Sequence, residues 1–320
     1  DVAPSRGLGD VYKRQVMDYI SEFVKGGVSM HAYMKAVGFS AISSRKEMQK
    51  LIEDVIRNSD RRKVVENEEH HLFVEISKEY GYDCGLTVCG ELDEEDNFHL
   101  DYCFPFYNGS GVTSQEDLVV ERHSDKESFA GACDDYRVGI TLIFYLLNAA
   151  EYLTDKNHNL LHDPRTSVTL SALGRNGTIL LPVKKDENTM KAEQSWQQHN
   201  ALIAAARNGD EEAMESLTME DIDTYSSISK RIRRKEDVFS IVDSYFMPYG
   251  IECDQYNVMG EITEHDTTVN EYTGEKLHLL NIVCNDIPLD ICINDKDLIG
   301  IPEVGRRFKG VIWLLGKINF

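Results

Sequence analysis

The sequence predicts an α+β protein in three parts: an N-terminal antiparallel sheet covered by helices, a helical connector, and a small C-terminal β-barrel. Three observations predict this organisation. Apolar residues recur at helical spacing over 43–56 and in stretches of 188–235. Runs rich in β-branched and aromatic residues, separated by turn-forming residues, follow one another over 71–107. The last third of the chain consists almost entirely of such runs.

Domain boundaries follow from these patterns. We assign residues 30–185 to the α+β domain, 186–240 to the helical connector and 241–320 to the barrel. A length of 320 residues suits about two folded domains. Residues 1–29 are interpreted as a non-native leader, because part of it resembles a translated sequencing adapter. The natural start is expected at Met30, with Met17 as the alternative.

The N-terminal part begins with helix signals. A helix is expected from Met30, and Ser43 or Ser44 is expected to cap a second one. Strands are predicted near 71–76, 86–89 and 98–107, and the acidic run 93–97 suits the hairpin loop between the last two.

Two further segments complete this part. The apolar stretch 138–150 is interpreted as a core helix, because about 20 apolar residues are needed to span a bilayer. A hairpin over 167–181 is predicted to turn at Asn176-Gly177, a pair that tolerates positive φ.

The C-terminal third predicts a barrel. Strands are expected at 256–263, 277–284, 288–293 and 306–320, with a turn at Asn285-Asp286 and one helical turn near 295–298. Four or five short strands with a helix before the last pair are typical of an OB-like barrel. Phe308 and Trp313 lie inside apolar runs and are expected in its core.

Charge and cysteine content restrict the classes of function. The net charge of −21 disfavours binding to phosphate backbones and anionic membranes. From 254 to 320 there are six basic and eleven acidic residues, so nucleic-acid binding through the barrel is not expected. Seven cysteines, without a C-x-x-C pair, indicate buried free thiols in a reducing compartment, and we predict a cytoplasmic location.

Candidate metal ligands are few. His158, His162 and Asp163 have a spacing that could chelate a metal, but Pro164 interrupts any helix there and an exposed loop is the favoured interpretation. The motif Glu264-His265-Asp266 also combines carboxylates with an imidazole and could bind a metal. Charged residues that protect a strand edge from pairing are the favoured interpretation. No catalytic residue and no cofactor is predicted.

Three segments carry a resemblance to a known family. They are MHAYMKAVGFS at 30–40, FMPYGIECDQY at 246–256 and GRRFKGVIWL at 305–314. Together they resemble an uncharacterised family of anaerobic Firmicutes that is catalogued as a domain of unknown function. The resemblance extends from Met30 to Phe320 and implies no activity, substrate or catalytic residues.

The expected function is therefore broad. We expect a non-catalytic cytosolic binding or scaffold protein that acts through protein–protein contacts, with a protein partner or a second copy of itself and no membrane association. A metal-dependent enzyme with a His/carboxylate site and single-stranded nucleic-acid binding through the barrel are the alternatives. Whether the protein is an enzyme stays open, with a non-enzyme favoured.

Overall fold

A computed structural model describes most of the chain outside its N-terminus and its predicted connector. The described residues are 32–67, 70–93, 95, 97–116, 118–122, 128–135, 137–138, 140–157, 166–182, 216, 242–250 and 253–320. The predicted leader 1–29 and, apart from position 216, the predicted connector 186–240 lie outside them. Within this part the protein is mostly β, with two α-helices, so the helical share that the sequence predicted is only partly confirmed.

The predicted N-terminal antiparallel sheet is confirmed. It has four strands in chain order: β1 (Arg61–Glu66), β2 (Leu72–Gly81), β3 (Cys84–Leu92) and β4 (Phe98–Tyr107). Helix α1 (Arg45–Arg57) packs its apolar face on β2 and β3, and helix α2 (Ala149–Asn157) packs on β1 and β2. A short 3₁₀ turn (Met34–Val37) stands where a helix from Met30 was expected.

The second sheet has ten strands and includes the barrel. In spatial order it runs β13, β8, β12, β11, β10, β14, β7, β6, β5, with β9 paired to β10. The bounds are β5 (Leu118–Arg122), β6 (Phe129–Asp135), β7 (Ile140–Leu146), β8 (Ser167–Leu180), β9 (Tyr245–Pro248), β10 (Gln255–Val269), β11 (Lys276–Cys284), β12 (Ile287–Asn294), β13 (Leu298–Ile299) and β14 (Arg307–Asn319).

Five of these strands close into a barrel. The strands β10, β11 and β12 form an antiparallel meander, and β12 pairs in parallel with β8. Strand β8 then pairs antiparallel with β14, which returns to β10 and completes the ring. Because β8 lies within residues 30–185, the barrel is built from segments on both sides of the predicted connector.

The predicted hairpin at Asn176-Gly177 is wrong. Residues 167–180 form one continuous strand, and Asn176 and Gly177 pair with Val311 and Gly310 of β14. Neither residue has a positive φ. The glycine is needed for another reason: a Cβ there would collide with the Phe308 ring. A local turn signal was therefore outweighed by pairing with a strand 130 residues later in the chain.

The predicted core helix over 138–150 is also wrong in its first half. Residues 140–146 form β7, and only from Ala149 does the chain become helical. Strand β7 pairs with β6 and makes a short parallel contact with the end of β14. An apolar run of this length fits either a strand or a buried helix by composition alone. No helix among the described residues is long and apolar enough to cross a membrane.

Several local predictions are confirmed. Ser44 caps α1 in a reciprocal capping box with Glu47. The acidic loop joins β3 and β4, with Asp93 accepting hydrogen bonds from the backbone of residues 95 and 97. Asn285 and Asp286 both have positive φ and turn β11 into β12.

The barrel core contains the aromatic residues that the sequence placed there. Phe308 and Trp313 are buried inside β14, and Tyr256 is buried on β10. All seven cysteines are free thiols, and five of them are buried. Tyr256, Phe308 and Trp313 therefore serve packing rather than an exposed surface.

Candidate functional site

A charged cleft lies where the four-stranded sheet, the start of α2 and the end of β14 meet. It encloses about 490 Å³ of space, including its opening to solvent. Its lining combines three basic residues, two carboxylates and several hydrogen-bonding groups: Arg61, Lys63, Glu75, Ser77, Thr87, Phe106, Asn108, Leu147, Asn148, Glu151 and Lys317. We refer to this set as the charged cleft.

Strand register places the charged residues of the cleft on two neighbouring cross-strand rows of the sheet. Lys63 of β1 lies directly opposite Glu75 of β2, and Glu75 lies opposite Cys89 of β3. Arg61 lies opposite Ser77, which lies opposite Thr87 in the same way. Since alternate residues of a strand point to one face, the 61/63 and 75/77 pairs are presented together on one face of the sheet.

The three cations of the charged cleft have different partners. Arg61 donates to Glu79 at 2.8 Å, and Lys63 forms an ion pair with Glu151. Lys317, on the last barrel strand, has no ion-pair partner among the described residues. In a chain of net charge −21, a concentration of basic residues in one concave place attracts anions.

Glu75 is the unusual group of the charged cleft. It is only 7% exposed, and the backbone N–H of Ala150 donates to its Oε2 at 3.2 Å. No side-chain hydrogen bond to this carboxylate occurs within the described ranges. Burial raises the pKa of Glu75 to about 7, against the lowering effects of the Ala150 amide and the Lys63 charge. The carboxyl group therefore changes protonation near neutral pH.

The start of α2 contributes both hydrogen bonds and a link to the barrel. Asn148, just before the helix, donates to Glu151 at 2.7 Å and to the Ile318 carbonyl at 2.9 Å, and accepts from the Ile318 N–H at 3.1 Å. Burial opposes ionisation of Glu151, but hydrogen bonds from Lys63 and Asn148 keep its pKa low. Asn148 thereby fixes the position of Ile318, the residue next to Lys317.

Neutral donors complete the charged cleft. The hydroxyls of Ser77 and Thr87 share a hydrogen bond of 2.9 Å across β2 and β3. Asn108 follows β4, and its side-chain amide makes no hydrogen bond to any residue in the described part. With Glu75 protonated, the three cations of the lining are balanced by two carboxylates, Glu151 and Glu79, the ion-pair partner of Arg61. The arrangement can hold a small anion by charge-assisted hydrogen bonds.

The predicted metal ligands cannot be compared with this site. His158, His162 and Asp163 lie outside the described residues. Of the second motif, His265 bonds through Nε2 to His278 Nδ1 at 3.0 Å, and His278 Nε2 bonds to Asp295 at 2.8 Å. No group of three or more potential metal ligands is present in the part of the chain that is described.

Sequence reasoning missed the charged cleft. A signal existed in the alternation of basic and other residues at the start of β1, since Arg61 and Lys63 share a face. That signal gives no indication that Lys317, some 250 residues away, completes the cluster. The cleft depends on how the sheet meets the barrel, and this is a property of tertiary structure.

Comparisons with known proteins identify a family and nothing closer. A family model described as "Domain of unknown function, E. rectale Gene description (DUF3881)" matches residues 34–316. No curated protein matches the chain. No solved structure matches it either. The description of the family names no ligand and no reaction, so the geometry of the charged cleft is the basis for a functional argument.

Proposed function

The chain belongs to the DUF3881 family, and we propose that it is a non-catalytic binding protein that holds a small oxyanion in the charged cleft. The observation that supports this most directly is the approach of Arg61, Lys63 and Lys317 to one cavity in a strongly acidic protein. The cations come from two separate sheets. Glu79 and Glu151 balance Arg61 and Lys63, so Lys317 is the cation of the lining that a bound anion would balance.

The chemistry of the lining supports an oxyanion rather than an apolar ligand. Lysine and arginine bind carboxylate and phosphate oxygens through charge-assisted hydrogen bonds. Ser77, Thr87 and Asn108 add neutral polar groups, while Phe106 and Leu147 are the only apolar side chains of the lining. The open, small cavity suits a ligand of few atoms or the charged end of a larger one.

Lys317 gives the proposal its test. Isothermal titration calorimetry of the full chain with inorganic phosphate at low salt is expected to show binding that Lys317→Met weakens about tenfold, because one hydrogen bond to a charged group contributes roughly 1.5–3 kcal/mol. Methionine retains most of the apolar stem and removes the charge.

The matched control lies on the same strand. Lys309→Met changes another half-buried lysine of β14 that does not line the charged cleft. We expect Lys309→Met to leave the phosphate affinity within about twofold, as rim charges outside a site act only through screened interactions. Equal effects of the two variants, or no binding at millimolar phosphate, would exclude this function.

A protein–protein contact is the second candidate function. Four apolar side chains near the end of β8 and between β13 and β14 are 67–74% exposed, and they are Leu181, Ile299, Ile301 and Val304. Register supports their proximity, because Ile299 pairs with Thr178, close to Leu181. A cluster of exposed apolar residues is typical of an interaction surface. The partner proposed for it is a second copy of the chain.

Sedimentation over a range of concentrations tests that contact. We expect concentration-dependent self-association that Ile301→Ser weakens at least fivefold, because the exposed isoleucine would be desolvated in the dimer. Val119→Ser, at an exposed valine of β5, is the control and should leave association unchanged. A monomer at every concentration would remove this candidate.

We also propose that the barrel is OB-like, with one strand taken from an earlier part of the chain. The support is the meander β10–β11–β12, the short 3₁₀ turn (Asp295–Asp297) before β14, and a fifth strand, β8, parallel to β12. Binding of single strands by such barrels uses exposed aromatic platforms. The burial of Phe308 and Trp313 and the acidic composition give nucleic-acid binding no support here.

The proposed location is the cytoplasm. Its support is the set of free thiols, including the exposed Cys253, since such groups persist in a reducing compartment. The metal-dependent alternative stays a prediction from sequence, because His158, His162 and Asp163 are not among the described residues.

A further inference from the structure

We propose that Glu75 makes the charged cleft selective for oxyanions that carry a proton of their own, such as inorganic phosphate, over sulfate, and that this selectivity appears as the pH rises above 7. The inference rests on the proposed function, because it assigns the ligand class of the same cleft. It depends on the position of one carboxyl group among the cations.

Register places Glu75 beside the cations. Its partner across the β1–β2 pair is Lys63, whose ammonium is engaged with Glu151. The described contacts of the Glu75 carboxylate are made by backbone amides at the start of α2. An anion drawn in by Arg61, Lys63 and Lys317 therefore enters a cavity that already contains a carboxyl group without a dedicated cationic partner.

The surroundings of Glu75 define which charges act on it. Seven titratable groups lie in the charged cleft or affect the ionisation of Glu75 and its neighbours. They come from β1, β3, β4, β7, α2 and β14, and they are Arg61, Lys63, Cys89, Tyr102, Tyr145, Glu151 and Lys317. Burial raises the pKa values of Cys89, Tyr102 and Tyr145 well above their usual range, so these three stay neutral. The charged neighbours are the three cations, Glu151, and Glu79, which is the ion-pair partner of Arg61.

The selectivity depends on whether the bound anion carries a hydrogen of its own. An ionised Glu75 repels an anion unless a hydrogen lies between the two oxygens. Inorganic phosphate can supply that hydrogen as an O–H donor, because its third ionisation lies far above neutrality. A phosphomonoester has a second pKa near 6 and carries no such hydrogen above pH 7. Sulfate has no proton at these pH values, so Glu75 must take one from water before sulfate binds.

The cost of that proton depends on pH. Below pH 7 the Glu75 carboxyl is largely protonated, and both anions can bind. Above pH 7 protonation costs a factor of ten for each pH unit, and only sulfate requires it. Sulfate affinity is therefore expected to fall about tenfold between pH 6 and pH 8, while Glu75 imposes no such loss on inorganic phosphate.

The experiment is calorimetric titration of the full chain with sulfate and with inorganic phosphate at pH 6 and pH 8, at constant ionic strength. The sulfate affinity is expected to fall about tenfold from pH 6 to pH 8, whereas the phosphate affinity should change only with the second ionisation of phosphate itself. Titrations in buffers of different ionisation enthalpy should show uptake of close to one proton per sulfate at pH 8, and almost none per phosphate.

Two variants locate the effect. Glu75→Gln, whose amide donates to any oxyanion without titrating, should bind sulfate equally at both pH values and without proton uptake. Glu264→Gln removes an exposed carboxylate of β10 and should behave as the wild type. The sulfate affinity of the wild type and its proton uptake still decide the matter should Glu75→Gln fail to fold.

The possible failures are distinguishable. A parallel fall of both affinities in the wild type, or a sulfate affinity that still falls between pH 6 and pH 8 in Glu75→Gln, overturns the selectivity while the anion site stands. Absence of binding for both anions at both pH values overturns the proposed function and this inference together.

Discussion

The closed barrel and the charged cleft use the same secondary structure for opposite purposes. In the barrel, every strand pairs on both sides and the interior is filled by apolar side chains such as Ile291, Phe308 and Ile312. In the four-stranded sheet, one row of the face that meets α2 and β14 carries Lys63 and Glu75. Closure protects backbone groups without leaving a free edge, whereas the edge strand β1 leaves its basic side chains accessible.

The difference shows where stability and function are placed. Close packing in the barrel is visible at Gly177 and Gly310, where an added Cβ would collide with the Phe308 ring. At the charged cleft, by contrast, a carboxylate is buried with little compensation, which costs free energy. The other buried carboxylates of the described residues, Asp135, Glu275 and Asp290, accept hydrogen bonds from side chains, so the weakly compensated Glu75 stands out as a group with a functional role.

Removal of the barrel's central ring should have the largest effect. Phe308→Ala is expected to lower the free energy of unfolding by about 3–5 kcal/mol, because it creates a cavity in a core that cannot collapse easily. Urea denaturation followed by tryptophan fluorescence measures it. Phe320→Ala, at a 41% exposed ring near the end of the same strand, should cost less than about 1 kcal/mol.

The shape of the unfolding transition of Phe308→Ala shows whether the barrel and the four-stranded sheet unfold together. Should Phe308→Ala unfold the barrel but leave the four-stranded sheet intact, the transition would split into two steps. A single shifted transition is the result we expect, because Asn148 and the 3₁₀ turn Met34–Val37 connect sheet and barrel.

Elements with local signals could be predicted from the sequence. Helix α1 could be predicted because Ser43 or Ser44 precedes apolar residues at helical spacing, and in the structure Ser44 forms a capping box with Glu47. The β11–β12 turn was found because Asn285 and Asp286 tolerate positive φ. In both cases the residues that determine the structure are neighbours in the chain.

Elements that depend on distant partners were not predicted correctly. Asn176-Gly177 has the composition of a turn, yet β14 extends the strand through it. Residues 140–146 became a strand because β6 and β14 offer edges on both sides. The charged cleft belongs to the same class, since Lys317 and Lys63 come together only after the barrel and the sheet have packed.

The pH dependence of stability tests the second region, with a smaller expected effect. Because the pKa of Glu75 is raised above its unfolded value of 4.5 to about 7, its contribution to stability is present at low pH and is lost as the pH rises through 7. Relative to Glu75→Gln, the wild type is expected to lose about 2.5 kcal/mol of unfolding free energy between pH 5 and pH 8.

The comparison with Glu75→Gln is needed because other groups titrate in the opposite sense. Burial and the neighbouring His278 lower the pKa of His265, so its contribution to the free energy of unfolding decreases as the pH falls towards 5. Both proteins contain His265, and its contribution cancels in the difference between them. A difference that stays constant from pH 5 to pH 8 in urea titrations would show that Glu75 is ionised throughout. In that case the charged cleft would disfavour sulfate over the whole range from pH 5 to pH 8, and the preference for an anion that carries its own proton would not depend on pH.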